Sequence, residues 1–383
     1  MSGPYHKSLL DRLSDKIILG IARLIDRLRP GWFQRNKSRV DEWRLMAYAI
    51  NRSPPGIAGA ILVAAFVIVA IFGPYIAPFS YDTSLQFFDK NSYLAPPGTE
   101  ITIPNTTLAR KLGLEPGNYT MYLGGDDYGR DLYSRLLYGA RTSFVVVILV
   151  MLVGPVIGIL LGLVSGYYGG KVDELIMRFT DIFLAFPALI LAIAFSAVLP
   201  GIVYDYLNQF DLVRNILLKL FALNEKHVGS MSYLVSVIIA LWLVWWPGYT
   251  RLIRGMVLSA RENMYVEASS ALGLSTFSIL IKHILPNIIG PTLVLLTVDF
   301  GSVILVEAGL SFLGLGAVPP LADWGRIVYD GAAYFPNAWW LVMFPGLAIF
   351  LTVLGFNMLG DTLRDVIDPK TRRMLEFKLE KEG

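Results

Sequence analysis

Cysteine is absent from the 383 residues, and histidine occurs only three times. The first absence excludes disulfides, thiolate nucleophiles and cysteine-based metal sites. The second leaves His6, His227 and His283 far apart and outside any HExxH pattern, so a histidine metal centre has no ligand set. A phosphate-cradling loop of the form GxxxxGK[ST] is missing too. Its nearest approach, Tyr168-Gly169-Gly170-Lys171-Val172, has Ser165 where the first glycine belongs and Val172 where a hydroxyl belongs, and reads as a turn. GLSFLGLGAV, at 309–318, follows an apolar helix rather than a strand, which argues against a dinucleotide fold. No catalytic residue, no metal site and no cofactor bound by this chain are therefore expected. Charge is scarce as well: 16% of residues are charged, against about 25% in soluble domains.

Apolar residues are what the chain has instead, 55% of it, with a mean hydropathy of +0.55. They gather in six blocks, at Ile57–Ile76, Ser143–Leu163, Ile182–Leu199, Leu234–Thr250, Ile288–Leu310 and Ala338–Gly360. Most approach the ~20 residues that cross a ~30 Å hydrocarbon core as a helix. The reading is an all-α integral membrane protein of six transmembrane helices. An even number of spans puts both termini on one side. Of the 33 lysines and arginines, 23 fall on that side and 10 on the other, although the two sides hold similar loop length. The excess predicts that the N- and C-termini are cytoplasmic.

The expected organisation is a basic N-terminal region over 1–56, a first span at 57–76 and an extracytoplasmic loop over 77–142. A core over 143–360 follows, interrupted by a polar cytoplasmic loop at 261–287, and a charged tail over 361–383 closes the chain. Within the first region, LLDRLSDKIILGIARLIDRLRP sets Leu10, Leu13, Ile17, Ile21, Leu24 and Leu28 at helical steps between cations. That pattern suits a helix lying on the cytoplasmic leaflet; the alternative is a soluble helix packed on a partner protein. From Asp131 a short surface helix is expected to lead into the second span, and 200–233 holds another amphipathic piece. Asp368-Pro369 should stop any helix continuing from the sixth span.

Two acids fall at bilayer depth, Asp299 and Glu307. An intramembrane charge is costly and points to function. Here a pore lining or a polar interhelical contact is favoured over proton coupling, with Glu307 near enough to a helix end to reach water or cap a loop. A stand-alone ion-coupled transporter would want paired acids or broken helices facing each other at mid-membrane, and the single Asp299 is a poor candidate.

The polar loop VEASSALGLSTFSILIKHILPN, at 266–287, has a defined grammar. A helix from Arg261 should end at Gly273, which accepts the left-handed conformation. Ser275 should cap a second helix, and Pro286 should stop it before the fifth span. Read from residues alone, this is either a protein-docking knob with small residues at its tip or an ordinary polar loop. The segment resembles the EAA loop of ABC-importer permeases: EAA, three residues, Gly, nine residues, Ile, one residue, Leu-Pro. Glu267-Ala268 open it, Gly273 is in register and Leu285-Pro286 close it. Ser269 stands for the third residue and His283 for the isoleucine. GGDDYGRDLYSRLLYGARTS (124–143), EAGLSFLGLG (307–316), PPLADWG (319–325) and LGDTLRDVIDPK (359–370) are similar to the C-type permease of dipeptide and oligopeptide importers. The likeness covers about residues 45–370; the long basic N-terminus and an outer insertion around 85–122 depart from it.

The resemblance implies the type I importer permease fold and a permease subunit that pairs with a second, homologous permease. It implies two cytoplasmic ABC ATPases, which carry ATP and Mg, an extracytoplasmic substrate-binding protein, and a lipid environment in the plasma membrane. Glu267, Ala268, Ser269, Gly273, His283, Leu285 and Pro286 are then the ATPase-coupling residues. Asp126, Gly129, Arg130, Asp131, Arg135, Asp299 and Glu307 are candidates for the outer gate or pathway. Peptides are the expected cargo, with oligosaccharides or nickel as alternatives.

Overall fold

The structure, a computed structural model, describes residues 9–367. His6 and the tail over 368–383, with its expected Asp368-Pro369 stop, lie outside the described residues. An amphipathic helix α1 (Leu9–Leu28) is followed by a single turn α2 (Trp32–Arg35) and by α3 (Lys37–Arg52). Ser53 alone separates α3 from α4 (Pro54–Ile76). Proline fits the first turn of α4 because the amide it lacks would have no helical partner there.

The expected outer insertion is a small folded unit. Strands β1 (Thr99–Ile103) and β2 (Gly117–Met121) pair antiparallel, with Thr99 opposite Met121 and Ile103 opposite Gly117, and α5 (Thr107–Lys111) lies between them. Alternation in TEITI turns Ile101 and Ile103 inward, where they join Phe79, Leu85, Ala95, Ala109 and Met121 in a miniature core. A five-residue strand is too short a period to stand out beside 20-residue apolar blocks, so the sequence does not announce this ribbon.

Next come α6 (Leu132–Tyr168), α7 (Gly170–Leu184), α8 (Ala188–Gln209), α9 (Asp211–Phe221) and α10 (Val228–Arg261). The short surface helix expected at Asp131 is no separate element: Asp131 caps one unbroken helix of 37 residues. The turn at 168–172 joins α6 to α7 with Gly169 and Gly170 at φ +64° and +54°. The third apolar block is divided differently from its hydropathy. Pro187 forces Phe186 out of helical geometry, so Ile182 falls at the end of the amphipathic α7 and the apolar helix starts at Ala188.

After α10 follow α11 (Met264–Ala271), α12 (Thr276–Ile279), a π-helical turn (Leu280–Ile284), α13 (Leu285–Phe312), α14 (Trp324–Ala332) and α15 (Trp340–Ile367). Contrary to expectation, Pro286 does not stop the helix before the fifth span. Leu285 stays helical at φ −53°, ψ −44°, and the chain runs from Thr276 to Phe312 as one candidate span. The wide i→i+5 turn before it absorbs the bond that proline removes, which is how π-turns and prolines coexist in long helices. Among the described residues, six helices are long and apolar enough to cross a membrane.

The chain divides into two units, 1–64 with 289–301 and 354–383, and 65–288 with 302–353. Within the first unit, backbones meet at glycines. A Cβ on Gly59 would lie 2.7 Å from the Leu359 amide nitrogen, and one on Gly360 2.5 Å from Val298. Within the second, the α6–α10 pair is the centre. Gly154, Gly158, Gly162 and Gly166 recur every fourth residue along α6, facing Trp245, Tyr249, Ile253 and Val257 of α10. A Cβ on Gly162 would sit 2.7 Å from the Ile253 Cβ. Small residues at this spacing let membrane helices pack closely where lipid offers no hydrophobic drive.

Candidate functional site

The loop over 261–287 hangs from α10. Asn263 closes that helix, its side-chain amide donating to the carbonyls of Ser259 and Ala260 at 3.2 and 3.0 Å. α11 then ends in a Schellman turn: Leu274 N–H donates to Ser269 O, Gly273 N–H donates to Ser270 O, and Gly273 takes φ +75°. Ser275 caps α12 by accepting the Ser278 amide at 3.4 Å. Both capping features match the sequence expectation.

One face of the loop is anchored. Val266, Ile279, Leu280 and Ile284 pack with Leu163, Ile253, Val257 and Ala260, so the α6–α10 pair and the loop share one core. Ser269, grouped by sequence with the approach surface, turns into this core and donates to Tyr265 O at 2.7 Å. Leu285 packs against the same cluster; His283 is half-buried in the π-helical turn, and Pro286 is exposed in the first turn of α13. The opposite face is open. Glu267 and Ala268 are exposed, as are Met264, Leu272 and Phe277 at 84%, 80% and 75%.

Ion pairs lock α10 to its neighbours just above the loop. Arg254 holds Asp173 bidentately at 2.5 Å for each bond, Arg251 reaches Asp181 at 2.6 Å, and Arg261 donates to Tyr167 O at 3.0 Å. Ser165 also donates to Asp173. The hydrogen bonds from Arg254, which outweigh burial, hold the Asp173 carboxyl below its ordinary range. An open concavity of about 550 Å³ lies along α10, lined by Gly248, Arg251, Leu252, Gly255 and Met256. Sequence reading misses both features, since neither a salt bridge 81 residues apart nor a groove has a local signature.

The candidates for an outer gate form a buried knot. Asp126 accepts the Arg130 side chain at 2.6 Å and the amides of Tyr128 and Arg130 at 2.9 Å each. Gly129 bends the turn at φ +64°, with Gln86 and Ser92 against it. Arg135, 1% exposed, donates to the carbonyls of Tyr81, Pro320 and Leu321 at 2.9, 3.2 and 3.3 Å. Asp131 caps α6 through the Ser134 amide and hydroxyl at 2.7 and 2.6 Å. Burial raises the Asp131 carboxyl, and burial beside Asp126 raises that of Asp127. These side chains brace loops, and Asp126, Asp127 and Arg135 line only a small cavity with Ile327, Asp330 and Leu341. Of the two sequence readings for Glu307, reaching water or capping a loop, its full burial excludes the first; it takes hydrogen bonds from the hydroxyls of Ser143 and Ser311 at 3.4 and 3.3 Å. Asp299 is half-buried on α13.

Comparison with known proteins gives two family matches. Residues 158–373 match the model of the binding-protein-dependent transport system inner membrane component, and residues 42–97 match the N-terminal TM domain of oligopeptide transport permease C. The chain is 34% identical over 333 residues to a dipeptide transport system permease protein of Alkalihalophilus pseudofirmus, covering 87% of this chain and 91% of that protein. It is 36% identical over 327 residues to a di/tripeptide transport system permease protein of Pseudomonas aeruginosa, covering 85% and 91%. To the oligopeptide transport system permease protein of Bacillus subtilis it is 31% identical over 341 residues, covering 88% and 93%.

Proposed function

The chain belongs to the family of binding-protein-dependent transport system inner membrane components, and from that premise we propose that it is the permease subunit of an ATP-driven peptide importer. In this reading it builds the translocation pathway with a second permease, receives peptide from an external binding protein and is moved by two cytoplasmic ATPases. Peptide as the cargo rests on the names of the relatives.

The observation that carries the coupling role is that Met264, Glu267, Ala268, Leu272 and Phe277 are all exposed on a loop mounted on a packed core. Exposed apolar side chains with an acid among them on one short helix–turn–helix suit a cleft in a partner protein. Its base is stiff: α11 shares its core with α6 and α10, and Arg254–Asp173 and Arg251–Asp181 extend that stiffness to α7. A push on α11 is therefore delivered to α10 as a rigid displacement instead of being lost in a loop. Closing of the ATPase dimer would bias the two-state opening of the pathway through this lever. Of the expected coupling residues, Glu267 and Ala268 meet the partner, Gly273 shapes the turn, and Ser269, His283, Leu285 and Pro286 hold it to the membrane helix. The groove along α10 that holds Gly248 and Gly255 is the surface we assign to the pathway or the second permease. The outer knot of Asp126, Arg130 and Arg135 braces the mouth.

The test is Glu267→Lys in the assembled transporter. The variant should reach the membrane in normal amount, yet lose peptide uptake and the peptide-stimulated part of ATP hydrolysis. Normal uptake by the Glu267→Lys variant would remove the docking role.

A further inference from the structure

Helix α1 lies outside both family matches, the first of which begins at residue 42. Its surroundings are divided by chemistry around the helix axis. The acids face α3: Asp15 pairs with Arg44 at 2.8 Å, and Asp11, 4% exposed, accepts Asn51 at 3.0 Å and lies 3.7 Å from Arg52. Ala22 is fully buried on the same side. Asp26 accepts the amide of Phe33 at 2.8 Å. The other side is bare. Leu10, Leu13, Ile17, Ile21, Leu24 and Leu28 are 47–78% exposed and, at about 100° per residue, fall within one narrow stripe. Arg12, Lys16, Arg23 and Arg27, all exposed, border the stripe on one flank.

Two further facts say what covers the stripe. α3 is braced along α1 and runs into the first membrane span across Ser53 alone, so the pair is held at the point where the chain enters the bilayer. Trp32 and Trp43 meet at 6.2 Å beside the turn that joins α1 to α3, and tryptophan concentrates at the membrane–water boundary. We infer that α1 is an in-plane anchor: its leucine stripe is sunk into the acyl boundary of the same leaflet, and its flanking cations rest on anionic lipid headgroups. α3 is the strut that fixes this anchor to the first span, with Asp11 and Asp15 turned away from the lipid and neutralised by α3.

The lack of cysteine makes the test direct. The single variants Leu13→Cys, Ile17→Cys, Ile21→Cys, Leu24→Cys and Arg12→Cys, each on the full-length chain, are spin-labelled and reconstituted into vesicles of phosphatidylglycerol and phosphatidylcholine. Accessibility to oxygen and to a water-soluble nickel chelate is read at each position. The four stripe positions should show an oxygen-to-nickel ratio several-fold above that at Arg12. All these substitutions fall on exposed positions, so each variant is expected to fold, and retained uptake confirms it. Equal nickel access at every position would put the helix in water and overturn the inference. Protection of the stripe from both reagents would overturn it equally, by showing that protein covers that face.

Discussion

Gly273 illustrates how one residue can carry geometry without carrying contact. Its φ of +75° is a left-handed turn, yet nothing lies within 4 Å of where a Cβ would stand. Gly273→Ala should therefore cost about 1–2 kcal/mol through backbone strain alone, leave the chain in the membrane and weaken coupling by disordering the turn at Leu272. Comparing uptake per ATP hydrolysed with the native chain checks it. Arg135 is the opposite case, all contact and no exposure. Arg135→Ala should destabilise by about 3–5 kcal/mol, because three carbonyls and Asp126 lose a buried cation; Arg135→Lys should not rescue it, since one ammonium cannot reproduce the fork. Thermal unfolding in detergent reads both. Asp173 adds a pH dependence. Its folded pKa is depressed by Arg254, so the contact stabilises above the ordinary carboxylate value of about 3.9 and is lost as pH falls through the lower folded value. Asp173→Asn should lower the unfolding temperature at neutral pH, and the gap to the native chain should close in strong acid. Gly273 and Ser275 were legible in the sequence because caps are local chemistry. Arg135 was legible only as a motif, because three carbonyls from distant loops leave no local trace.

At the scale of elements, apolar length announced the six membrane helices, while their packing stayed hidden. The glycine series 154, 158, 162 and 166 is visible in the chain, but only its placement opposite Ile253 and Val257 makes it an interface. Gly162→Val should force α6 off α10 and cost roughly 1–3 kcal/mol by overpacking. Gly255→Ala, on the open side of α10, should change the unfolding temperature little, because its Cβ meets nothing within 4 Å. The π-turn at Leu280–Ile284 escapes the sequence because proline reads as a stop. The π-turn keeps the coupling loop helically continuous with the fifth span from Thr276 to Phe312. The β ribbon escapes because its five-residue strands are stabilised by a core assembled from Phe79, Leu85 and Ala95, outside the strands themselves.

In the whole molecule, α11 is the proposed handle by which an ATPase moves the membrane helices. The family explains why such a handle should exist, and the structure explains why this one is stiff: one hydrophobic core runs from Leu163 and Ile253 to Val266 and Ile284. The most direct measurement is photo-crosslinking from Leu272, which is 80% exposed, in the assembled and transport-competent complex. An adduct with an ATPase subunit, varying in yield with nucleotide, is the expected result. Full uptake activity with no such adduct, or an adduct with the external binding protein, would contradict the coupling role and the orientation together.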